Sequence, residues 1–120
     1  MKLIILFTAL GLFCFHPKGL AQQKVERFCE VTLSPKNGFT TKQTASISFG
    51  EVDSLFYFRD SSVLANLQKV NSMKTATDVL NYMSNLGWTL VSVIPFGIYT
   101  SHERLYFRKS FDESELGSNR

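Results

Sequence analysis

The groups that most often do chemistry are scarce in this sequence. It holds two cysteines, two histidines and three prolines, and its 13 basic residues face 10 acidic ones. Part of that small stock sits in a leader. Lys2 gives a positive start, Leu3 to Phe15 form an apolar run, and Gly19 and Ala21 place small residues before a cut at Gln22. The run is too short, and too closely followed by His16-Pro17-Lys18, to span a bilayer. Phe13 is too bulky to precede a lipid-bearing Cys14, so the expectation is an ordinary signal peptide over residues 1–21 and export to the periplasm or beyond.

The remaining 99 residues make one small domain, expected over 22–111 with a flexible tail at 112–120. Without Lys2 and Lys18 the balance is 11 basic against 10 acidic, too even for the dense basic patch that nucleic acid requires. Cys29 stands alone, which excludes an internal disulfide, and with His102 as the one remaining histidine a zinc site lacks ligands. There is no Gly-x-Ser-x-Gly elbow, no phosphate-cradling glycine loop and no calcium-loop spacing among Asp53, Asp60 and Asp78. No cofactor, metal or catalytic set is therefore expected. Stability must come from the core, and most of the eleven phenylalanines lie beyond the leader.

What is present is a fold signal centred on residues 75–94. Ala76, Val79, Leu80, Met83 and Leu86 recur at helical spacing. Thr75 and Asp78 form a capping-box variant, and Gly87 marks a left-handed stop. Trp88 then falls where it packs back on Met83, so Gly87, Trp88 and Met83 are the expected structural residues. From Trp88 the period changes, and Val91, Val93 and Ile94 read as a buried strand closed by Pro95.

Upstream, Cys29, Val31 and Leu33 alternate with Phe28, Glu30 and Thr32, and Ala45, Ile47 and Phe49 alternate with Thr44, Ser46 and Ser48. Residues 27–50 therefore read as an antiparallel hairpin with a polar tip at 36–43, where Pro35 and Asn37-Gly38 supply turn chemistry. Residues 51–74 leave two readings open. Val63, Leu64, Leu67 and Val70 fit a helix, while Asn66 and Asn71 fit an edge strand as well, and Leu55-Phe-Tyr-Phe58 must be buried somewhere. A last strand runs from His102 to Lys109. The expected fold is α+β: an antiparallel sheet of about four strands with one central helix on one face, in the order ββαββ.

Val70-Asn-Ser-Met73, Leu80-Asn-Tyr-Met83, Gly87-Trp-Thr-Leu-Val-Ser-Val93 and Leu105-Tyr-Phe-Arg-Lys109 carry a resemblance. The chain resembles small exported proteins of Bacteroides-type bacteria, and is more distantly similar to a domain-of-unknown-function family with a helix-Gly-Trp-strand core. Thr89 stands where that family often has an acidic residue, and Lys74-Thr-Ala76 looks inserted. The resemblance implies the ββαββ layout and carries no catalytic residue.

Two surfaces stand out as candidates. Arg104, Tyr106 and Arg108 alternate on one strand face, offering two cations and an aromatic platform to an anionic or peptidic partner, or simply a solvated face. Phe28, Val91 and Val93 fall on the face opposite the helix, where they form a partner or homodimer surface unless Leu55–Phe58 folds across them. The function that follows is an exported binding or interaction domain, with a protein or small molecule as partner. The alternatives are a small-ligand carrier with an aromatic-lined pocket between sheet and helix, and a hydrolase with catalytic groups other than a Cys29–His102 pair.

Overall fold

A computed structural model describes residues 23–36, 42–97 and 102–117. The expected signal peptide, the expected turn at Asn37-Gly38, residues 98–101 and the last three residues lie outside the described residues. The strands are β1 (Lys24–Pro35), β2 (Gln43–Ser48), β3 (Thr89–Pro95) and β4 (Glu103–Asp112). They form one antiparallel sheet in the order β2-β1-β4-β3. The two helices are α1 (Ser61–Gln68) and α2 (Ala76–Asn85), and short 3-10 turns occupy Asp53–Phe56, Lys69–Ser72 and Glu113–Glu115. The α+β fold with a helix packed on a four-stranded antiparallel sheet is as the patterning implied.

Alternation sorts the sheet into two faces. Cys29, Val31 and Leu33 of β1, Ala45 of β2, and Leu105, Phe107 and Phe111 of β4 are buried on the inner face. Val79 and Met83 of α2, Leu67 of α1, and Val70, Phe56, Phe58 and Trp88 close over them as one cluster. Each buried valine, leucine, phenylalanine or methionine side chain contributes about 1.5–3 kcal/mol on leaving water, and among the described residues Cys29 is a free thiol, so this core is what holds them together.

Helix α2 starts and stops at the residues that its sequence marks, although of the expected capping box only the Thr75 half is present among the described residues. Thr75 Oγ1 accepts the Asp78 amide at 3.1 Å. At the other end Gly87 has φ +86°, the Trp88 amide donates to Met83 O at 2.9 Å, and the Gly87 amide donates to Ser84 O at 2.9 Å, the paired bonds of a Schellman stop. Lys109 adds a contribution from across the sheet: its Nζ donates to Leu86 O at 2.7 Å, placing a cation on the negative end of the helix.

Residues 51–74 take the helical option. Asp60 caps α1 by accepting the Ser62 amide at 2.9 Å, and Leu67 and Val70, three apart, reach the core. Asn66 and Asn71, which obscured the helical pattern, have positions of their own. The Asn66 carbonyl accepts the Tyr82 hydroxyl at 2.8 Å, and Asn71 Oδ1 accepts the Ile47 amide at 2.9 Å.

The last strand runs three residues beyond Lys109, to Asp112, and the chain after it makes contacts up to Gly117. Leu116 bridges Phe58, the Arg59 amide donates to Glu115 O at 3.0 Å, and the Gly117 amide donates to Tyr57 O at 2.8 Å. A β-carbon on Gly117 would run into the Tyr57 ring, so the residue is glycine for clearance.

Candidate interaction surface

The helices consume the inner face, leaving the outer face and two lateral edges. On the outer face Phe28, Glu30 and Thr32 of β1 stand opposite Arg108, Tyr106 and Arg104 of β4. The expected stripe therefore lies on one surface, next to Phe28, which is 52% exposed. The Arg104 guanidinium lies 4.6 Å from the Phe96 ring centroid, and its Nε is 4.0 Å from the Glu30 carboxylate. Lys24 pairs with Asp112 at 2.7 Å on the same face, and Glu26 lies one step along β1 from Phe28. Lys24, Arg104 and Arg108 thus stand against Glu26, Glu30 and Asp112, so the stripe projects little net positive field.

The Leu55–Phe58 cluster does not fold across this face. Phe56 and Phe58 turn inward and join Phe49, Phe111 and Trp88 in a run of rings with neighbouring centroids 4.8 to 5.8 Å apart. These aromatic rings pack on one another between sheet and helices. Leu55 and Tyr57, alternating with them, stay exposed.

Strand β3 departs most from expectation. It reads as buried, yet none of its seven residues is buried, and Leu90, Val91, Val93 and Ile94 are 39–50% exposed. It is an edge strand, with only β4 beside it in the sheet, and none of its residues is fully covered. A bulge between Leu90 and Ser92 also breaks the alternation that would unite Val91 and Val93 with Phe28. Val93 pairs with Leu105 and so falls on the inner side with Leu90. Ile94 pairs with Arg104 and falls on the outer side, while Val91 has no partner in the register. The result is an apolar strand exposed on both sides.

Its backbone is only partly open. The Phe96 amide donates to His102 O at 2.9 Å, so alternation turns residues 92 and 94 toward β4 and residues 93 and 95 outward. Position 95 is proline and has no donor to offer. Proline and a bulge are the means by which edge strands discourage indiscriminate pairing. Side chains, more than main chain, are what β3 presents.

The nucleophile reading fails on geometry. Cys29 is buried on the inner face, where burial pushes its thiol up to about 12, so the thiolate is scarce at neutral pH. His102 lies at the far end of β4 on the outer side, against the Phe96 ring at 5.2 Å. Among the described residues no group of three His, Cys, Asp or Glu could hold a metal ion, and no helix is long and apolar enough to cross a membrane. No family model matches the chain, and neither a curated protein nor a solved structure matches it.

Proposed function

We propose that this chain is an exported interaction module that engages a protein partner through β3 and the adjoining outer sheet face. One observation carries the reading: a strand whose composition calls for burial has no buried residue. These aliphatic side chains are about half exposed, so each forfeits about 1 kcal/mol of possible burial, and a partner recovers it. The segment from Gly87 to Gly97 contains no charged residue, which suits a contact centre, since charges are depleted there. Phe28 and the Arg104–Phe96 stack form the neighbouring rim, where an aromatic and an arginine fit the usual composition of contact hot spots. The leader-like pattern of residues 1–21 and the resemblance to exported bacterial proteins support export, and an exported chain meets its partner in the cell envelope or outside the cell.

The test pairs Val91→Lys/Ile94→Lys with Arg104→Ser/Arg108→Ser. In light scattering and in capture from envelope extracts, the lysine pair abolishes association and leaves the thermal midpoint nearly unchanged, because both side chains are half exposed and lysine stems can cover the same neighbouring carbon. If the arginine pair abolishes capture and the lysine pair does not, an anionic partner on the outer face replaces this reading. If neither pair alters association, the sheet surface is not the contact.

A further inference from the structure

A second exposed apolar site lies away from β3, where the chain leaves β2. Phe49, Phe56, Tyr57, Val52 and Leu64 line an open notch of about 230 Å³, with Asp53 at its rim. Its walls are positioned by the fold. The Phe49 and Phe56 rings pack at 4.9 Å between centroids, 31° apart, and Phe56 is braced edge-on by Phe58 at 5.8 Å. The Tyr57 ring stands over Gly117, where the main-chain bond from Gly117 to Tyr57 O fixes the approach.

Three observations define what such a notch accepts. It is smaller than the ~300–1,000 Å³ of ordinary small-molecule pockets, so it takes a head group of a few heavy atoms. Its lining holds one charge, the Asp53 carboxylate, which makes no ion pair among the described residues. Arg27, the cation that reaches the adjoining turn, donates instead to the carbonyls of Leu55 and Glu26. Aromatic faces with one carboxylate attract a cation whose surface is itself apolar. A primary ammonium brings three N–H donors and needs acceptors for all of them, whereas this lining is mostly carbon. A quaternary ammonium carries no N–H donor and has no such need.

We propose that this notch is a binding site for a small quaternary ammonium ion, its methyl groups against Phe49, Phe56 and Tyr57 and its charge toward Asp53. The site is independent of β3 and stands or falls separately from the contact proposed there.

The experiment is an amide NMR titration of the protein with tetramethylammonium chloride at constant ionic strength, set against neopentyl alcohol, a neutral molecule of similar shape. Saturable shifts confined to residues 49–57 and Leu64 are expected, with the neutral compound binding about tenfold more weakly. Asp53→Asn, at an exposed position, weakens the cation's binding about threefold or more and leaves the fold intact. Tyr57→Leu weakens it by a similar factor. The proposal is overturned if neopentyl alcohol binds as well as the cation, if Asp53→Asn has no effect, if the shifts lie elsewhere, or if nothing saturates.

Discussion

The two edges of this sheet are built on opposite plans. At β2, Thr44, Ser46 and Ser48 face solvent while Ala45 and Ile47 pack inward, and the free edge is covered. The segment after α1 brings Asn71 Oδ1 to the Ile47 amide at 2.9 Å and Lys74 O to the Gln43 amide at 2.7 Å. At β3 there is no such cover: among the described residues no hydrogen bond reaches its outer edge, and its aliphatic residues are exposed on both sides. Covering one edge and leaving the other apolar limits how copies can associate. Growth from β3 of one molecule onto β2 of the next meets amides at Gln43 and Ile47 that are already bonded, so the contact proposed at β3 would end in a closed pair or a complex with a different protein.

Perturbations at each edge separate the two plans, and the largest effect belongs to the residue that anchors β3 to the core. Trp88→Ala should cost about 3–5 kcal/mol in chemical denaturation, since the indole is almost fully buried against Phe111. A loss below 1 kcal/mol would mean that β3 is not held from its start. Gly87→Ala should cost about 1 kcal/mol or more, because a β-carbon there is both left-handed and 3.3 Å from Lys109 Cε. On the β2 side, Asn71→Ala should cost about 0.5–1 kcal/mol and expose the Ile47 amide. It should also raise the tendency to form chains of copies, visible as larger species in light scattering. Ile94→Lys, at the bare edge, should change stability by no more than about 0.5 kcal/mol.

A pH experiment tests the core that both edges share. The folded thiol of Cys29 is raised by burial, so the unfolded chain loses its proton first as pH climbs. The stability tied to the neutral thiol is full below the ordinary value of 9.0 and is lost as pH rises toward about 12. Iodoacetamide at pH 8 should leave the native protein unmodified and alkylate it once denaturant is added. Rapid native alkylation would contradict the burial of β1.

How much of this was legible follows from how local each signal is. The stop at Gly87 and the inward Cys29, Val31 and Leu33 depend on neighbours within a few residues, and the pattern displays them. The status of β3 does not. Leu90 to Ile94 spell a buried strand, and only the order β2-β1-β4-β3 puts them on the outside. Long-range pairing decides that order, and a single sequence does not encode it in any periodicity. The bulge at Leu90–Ser92 escaped for a related reason: one extra residue reverses the faces of everything after it, which moved Val93 inward and Ile94 outward. Asn71 looked like noise within a helix because its role is to cap a strand 24 positions away. The notch at Phe49–Tyr57 gave one faint signal, the unusual Leu55-Phe-Tyr-Phe58 cluster, whose alternation of buried and exposed rings was visible only after folding.

Native-state hydrogen exchange on the isolated monomer tests the contrast between the edges most directly. The Ile47 amide, held by Asn71, should exchange slowly, and the Val93 amide, turned away from β4 with nothing to accept it, should exchange at nearly the rate of an unprotected peptide. Slow exchange at both positions would show that β3 is covered in the free chain, and the account of it as a surface kept for a partner would be wrong.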